Sequence, residues 1–136
     1  MSVLSGCGAP RLGPGFAPDA ELYDVTALAI AAWNEHGADL YLDGDGTPVR
    51  LIDGECVETN VPGCHLGVAS RSRGVIDIAS AADEWQRQRS VLHELCHALH
   101  GDGDHPDAPG VCGLYMWDGD EHVITPEDVA WAGLAD

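Results

Sequence analysis

Lysine is missing altogether, and the only bases are six arginines set against 23 acids, for a formal net charge of −17 over 136 residues. A surface so short of positive charge repels phosphate backbones and anionic headgroups, which argues against nucleic acid as a partner. Long hydrophobic runs are missing too. The longest, Ala27 to Trp33, is far too short to span a bilayer, so no transmembrane segment is expected. What is present is ordinary for a folded chain: apolar residues make up 45% of the sequence, and the length suits one domain with a real core. No internal repeat is visible, and a monomer is expected.

Cysteine is sparse but patterned. Of the five, Cys7 sits in Leu4-Ser5-Gly6-Cys7, which resembles the lipobox of bacterial lipoproteins. A working export signal needs a charged start and a longer apolar stretch ahead of it, and only Met1 to Val3 precede the match. The match is either the remnant of a longer precursor, lipid-anchored through Cys7, or chance. Cys56, Cys64, Cys96 and Cys112 form an even set that suits two disulfides outside the cytosol. The local pairing, Cys56–Cys64 with Cys96–Cys112, closes short loops and is the first choice. Four buried thiols are the bland alternative. The expected location is secreted or at the cell envelope.

Composition separates a Gly- and Pro-rich arm over residues 1–18 from a folded domain over 19–136. Asp19 reads as the cap of a first helix with Val25, Leu28, Ala29, Ala32 and Trp33 on its inner face and Gly37 at its end. Four short segments rich in apolar and β-branched residues follow, Asp39–Leu42, Val49–Ile52, Leu66–Ser70 and Val75–Ala79, and these predict strands of one small sheet. A second helix should start between Ser80 and Asp83 and stop at His100, with Gly101 as terminator. Residues 101–120, rich in Gly, Pro and Asp, read as an irregular loop, and loops that long are usually functional. Thr125, Pro126 and Asp128 mark the start of a last helix, with Val129, Ala130 and Leu134 inward.

On the second helix, His93 and His97 are four residues apart, so both imidazoles project from one face and can share a metal. Glu94 lies beside that pair, where a carboxylate reaches a water on the metal rather than the metal itself. His93-Glu94-Leu95-Cys96-His97 is the H-E-x-x-H arrangement of two ligands and a general base. A zinc ion so held acidifies a water, and Glu94 takes the proton. A catalytic zinc needs a third protein ligand. His100 lies on the same face but two turns, about 10 Å, from His93, and it suits the helix-end dipole better. His105, beyond Gly101 and Gly103, can fold back over the metal and is the preferred third ligand. Asp102 and Asp104 are the oxygen-donor alternatives. The bland reading of the whole motif is a solvated helix face with two idle histidines.

The stretch His93-Glu94-Leu95-Cys96-His97-Ala98-Leu99-His100-Gly101-Asp102-Gly103-Asp104-His105 resembles the metzincins, the zinc peptidase clan of matrixins and astacins. Their signature is H-E-x-x-H-x-x-G-x-x-H followed by a Met-turn. The H-E-x-x-H-A-L core is especially similar to matrixins, as are Val75-Ile76-Asp77-Ile78-Ala79 with Trp85 upstream and Thr125-Pro126-Glu127-Asp128-Val129 at the close. The resemblance covers residues 74–134. It implies a small α+β, zincin-like domain: a twisted, mostly parallel sheet, an active-site helix and a C-terminal helix. It also implies peptide or protein substrates, one catalytic zinc, and Met116 in Leu114-Tyr115-Met116-Trp117 as the Met-turn floor. The glycine comes one residue late and the third histidine two, so His105 is carried over with an insertion. Tyr115 precedes the methionine, where astacins place their tyrosine after it, and is given no catalytic role.

Two other readings compete. A metal-dependent endoribonuclease family carries three histidines on a similar helix and turn, but it lacks the glutamate after the first, and the charge here is hostile to RNA. A catalytically silent zinc-binding module would have no use for Glu94. Asp43-Gly44-Asp45-Gly46 weakly resembles the beginning of a Ca²⁺ loop, without the full twelve-residue pattern. A plain hairpin turn is the better reading.

Overall fold

The computed structural model describes residues 12–59, 62–101, 105–106, 110–113 and 123–134. Five strands form one sheet: β1 (Gly15–Pro18), β2 (Tyr41–Leu42), β3 (Thr47–Ile52), β4 (Gly67–Ser70) and β5 (Val75–Ala79). Their order across the sheet is β2-β1-β3-β5-β4. All neighbours run parallel except β4, which pairs antiparallel with β5 from Gly67 opposite Ile78 to Ser70 opposite Val75. The expected α+β class with a mostly parallel sheet is what forms, and β4 is an edge.

Buried parallel strands read as continuous apolar runs, and β5 is buried along its whole length. Its one carboxylate, Asp77, is met by the Arg50 guanidinium from β3 through two bonds of 2.8 and 3.1 Å. A fork of that kind offsets the desolvation of a buried acid.

The helices among the described residues are α1 (Tyr23–Asn34), α2 (Glu84–His100) and α3 (Pro126–Trp131). A capping box between Asp83 and Gln86 starts α2, and Gly101, at φ 98°, ends it in the left-handed conformation. Thr125 and Asp128 cap α3 reciprocally behind Pro126. α1 and α2 are joined in the core, where the fully buried Trp33 donates its indole N–H to the Leu92 carbonyl at 3.1 Å.

Several boundaries differ from the sequence reading. Residues 15–18, grouped with the N-terminal arm by their Gly and Pro content, form β1 in the interior of the sheet, with Phe16 fully buried. A strand of four residues around one large side chain leaves too short a pattern to stand out from its flanks. Asp19 makes no side-chain cap; its carboxylate accepts the Leu51 N–H, and a 3-10 turn over Ala20–Leu22 leads into α1. On α1, Leu28 faces solvent, while Thr26 and Ile30 point inward with Val25, Ala29 and Trp33. Only Tyr41 and Leu42 of the segment 39–42 pair as a strand. On α3, Ala130 is exposed and Asp128 is buried in its place.

The expected disulfides, Cys56–Cys64 and Cys96–Cys112, are both formed. Among the described residues no helix is long and apolar enough to cross a membrane. Asp43 closes a turn: its carboxylate accepts the Asp45 N–H and its carbonyl the Gly46 N–H. Among the described residues no third acid or histidine joins Asp43 and Asp45, so a turn forms, but not the expected hairpin: β2 and β3 flank β1 on either side and both pair with it in parallel.

Trp33 is the side chain on which the contact between α1 and α2 turns. Trp33→Ala should destabilise the fold by about 3–5 kcal/mol, the usual cost of a buried aromatic, measured by denaturant unfolding. A loss near zero would place the junction of the two helices elsewhere.

Candidate metal centre

Nine consecutive residues of α2, Arg89 to His97, are buried. A helix covered on all sides has to satisfy its polar side chains inside the protein. His93 does so through Nδ1, which lies 2.8 Å from the Val111 carbonyl. A carbonyl only accepts, so Nδ1 carries the proton and Nε2 is left as a bare lone pair.

That lone pair has company. His97 Nε2 lies 3.1 Å from His93 Nε2, and His105 Nε2 lies 3.2 Å from it. The rings of His93 and His105 stack at 5.0 Å between centroids, while His97 stands edge-on to both. Zinc–nitrogen bonds of about 2.0–2.1 Å at tetrahedral angles separate ligand nitrogens by about 3.3–3.4 Å. The donor set, and the separations of His97 and His105 from His93, suit a divalent ion, and the three donor atoms all lie within 4.8 Å of one another. Among the described residues this is the one group of three or more His, Cys, Asp or Glu side chains gathered closely enough to hold a metal.

His100 is placed elsewhere. Its Nδ1 lies 2.7 Å from the Trp131 carbonyl and its ring stacks on the Trp131 indole at 4.0 Å, so it ties the end of α2 to α3. Asp102, Asp104, Tyr115 and Met116 lie outside the described residues, and the Met-turn expectation with them. Trp85 is half exposed near the start of α2, with the Arg89 guanidinium 4.9 Å from its ring.

Glu94 is buried beside edge strand β4. The backbone N–H of Ala69 donates to its carboxylate, and Gly67 lets the strand come close: a Cβ there would stand 3.2 Å from Glu94 Oε2. Burial pushes the Glu94 carboxyl up to about 8, with the Ala69 bond opposing the shift. Burial also lowers His93 to about 3, aided by His97, His105 and Arg89 and opposed by the bond to Val111. Both shifts describe the metal-free protein, in which His93 stays neutral at ordinary pH and keeps its lone pair.

The turn that carries Val111 was not legible as part of the site. It runs from Gly110 to Gly113, closed by the Gly113 N–H on the Gly110 carbonyl at 3.2 Å. Cys112 is tied by disulfide to Cys96, which sits on α2 between the two histidines. Asp128 of α3 accepts the N–H groups of Val111 and Cys112, each at 3.0 Å. Val111 and Ala69 act through backbone groups, which no residue type announces. Asp128 did announce itself as a capping residue, but its second set of partners is set by tertiary packing.

No family model and no curated protein matches this chain.

The two shifts give the metal-free protein a signed pH dependence. The Glu94 pKa is raised on folding, so its contribution is full below about 4.5 and is lost as pH rises through about 8. The His93 pKa is depressed, so its contribution is full above about 6.5 and is lost as pH falls toward about 3. The two oppose each other between about pH 5 and about pH 6.5, so the melting temperature of metal-free protein should change little there and decline from about pH 6.5 to about pH 9, and Glu94→Gln should flatten that decline. Parallel curves for the two proteins would show that Glu94 is not held as described.

Proposed function

We propose that the protein is a zinc-dependent endopeptidase, with His93, His97 and His105 as ligands and Glu94 as the general base. The observation that carries this reading is the convergence of three imidazole nitrogens, two of them on the helix that also carries the buried Glu94. Three neutral nitrogen ligands leave a fourth position for water or substrate, as catalytic zinc requires. When bound, the ion supplies Lewis acidity for a peptide carbonyl and positive charge that favours the ionised forms of a nearby water and of Glu94.

The protein groups do the rest. Glu94 takes the proton of the attacking water and returns it to the departing amine. Burial at the strand edge raises its proton affinity in the metal-free protein, and the positive charge of a bound ion would lower it again, toward a group that can both take a proton and give it back. The Val111 carbonyl holds His93 in the tautomer that presents Nε2. An extended chain is the form of substrate that suits this setting, because β4 is an edge strand and can accept a further strand by backbone pairing. The disulfides favour export to an oxidising compartment, secreted or at the cell envelope.

The metal content of purified protein should be about one zinc per chain, as a three-ligand catalytic site holds. Chelator competition should rank His105→Ala far below His100→Ala in zinc affinity, since one removes a ligand and the other a helix-end contact. Equal affinities would move the third ligand away from His105.

Glu94→Gln should keep the zinc and lose about 10²–10⁴-fold in cleavage of casein, because the base alone is removed. Undiminished turnover would refute the mechanism, and a wild type that binds zinc without cleaving casein or gelatin would favour the silent zinc module.

A further inference from the structure

Asp128 is fully buried on α3, far along the chain from the histidines, yet its carboxylate is spent on the site. Oδ2 accepts the Val111 N–H at 3.0 Å and the Thr125 N–H at 2.9 Å, and Oδ1 accepts the Cys112 N–H at 3.0 Å. One residue of that turn, Val111, then offers its carbonyl to His93 Nδ1 at 2.8 Å. Capping α3 uses only the Thr125 contact. The other two bonds reach a different segment.

The turn is held at two points. The Cys96–Cys112 disulfide fixes its distance from α2. A single covalent tether leaves the peptide planes free to rotate, and a rotated Val111 peptide no longer aims its carbonyl at the imidazole. Two carboxylate oxygens on two successive N–H groups remove that freedom. The fit is close: a Cβ on Gly110, at φ 134°, would lie 2.5 Å from both Asp128 oxygens. The turn therefore approaches the carboxylate through the one residue type that leaves it room.

We propose that Asp128 is a positioning residue for His93: by clamping the Val111 and Cys112 N–H groups it fixes the Val111 carbonyl that orients the imidazole toward the metal. This rests on reading His93 as a metal ligand. Asparagine is the informative substitution. It keeps the size but replaces one acceptor oxygen by an NH₂ group, so a donor must face a backbone N–H and the turn has to shift.

The test measures zinc affinity by chelator competition, and the absorption spectrum of cobalt-substituted protein, for wild type, Asp128→Asn and Val49→Ala. Val49 is buried in β3 and serves as a control for lost stability. All measurements are made at a temperature where circular dichroism shows each protein folded. Asp128→Asn should weaken zinc binding by about 10–100-fold, the usual cost of losing a ligand's outer partner, and should alter the cobalt spectrum. Val49→Ala should melt earlier with its affinity and spectrum unchanged. If Asp128→Asn does not fold, Gly110→Ala displaces the same carboxylate and should weaken zinc in the same direction. Wild-type affinity and spectrum in Asp128→Asn would overturn the positioning role while leaving the metal site standing. Equal losses in Asp128→Asn and Val49→Ala would overturn it as well. A wild type that takes up no zinc would overturn the site and this role together.

Discussion

The middle of α2 is buried on every side while carrying two imidazoles, a carboxylate, a guanidinium and a cysteine among nine residues. A buried polar group without a partner costs about 1–3 kcal/mol, and a charged one more. A protein of ordinary stability, about 5–15 kcal/mol in all, cannot leave several such groups unmet. The fold is arranged around that constraint. β4 brings the Ala69 N–H to Glu94, the 110–113 turn brings the Val111 carbonyl to His93, and Cys112 closes a disulfide on Cys96. The partners come from two segments distant in sequence, β4 and the 110–113 turn, so the helix gathers the domain around itself.

The sheet serves the same end. Its parallel strand β5 is buried along its whole length, and the one antiparallel strand is placed at the edge next to α2. Glycine at position 67 is what lets that edge approach the carboxylate, since a side chain there would crowd both Glu94 and Ser90. On the far side, α3 is short and would gain little from its own hydrogen bonds. It is fixed instead by the His100–Trp131 contact and by the Asp128 clamp. The end of the chain and the centre of the site are thereby one structural unit.

What was legible in the sequence follows from what side chains can signal. Helix spacing announced His93, Glu94 and His97, and cap residues placed both ends of α2 and the start of α3. His105 was legible only because Gly103 occupies the spacing at which a ligand would otherwise fall, which forced a choice among neighbours. The local disulfides followed from loop length. By contrast, β1 was hidden in a Gly- and Pro-rich stretch, because strand pairing is a property of two segments and Phe16 alone carries its signal. The inner face of α1 was misjudged at Leu28, where hydrophobicity suggested burial and the helix phase, set by Trp33, turned it outward. Groups that act through the backbone, at Ala69 and Val111, leave no mark in the sequence at all.

The ligand chemistry also sets what the site can do with charge. Imidazole ligands bring no negative charge to an ion, so a dication held by the three histidines as proposed would keep its full charge, and a single nearby carboxylate would leave the pair net positive. An aspartate ligand would cut that charge and make a nearby water less acidic. Outside, the opposite holds: 23 acids against six bases surround the site with negative potential. A field of that sign draws cations toward the protein and opposes anionic ligands. A cation bound there as proposed would concentrate positive charge at one buried point of an acidic molecule, which would favour polar but uncharged groups, such as a peptide carbonyl, over phosphates. With the histidines as the proposed ligands, the excess of acid on the surface and the absence of acid around the ion would push toward the same class of substrate.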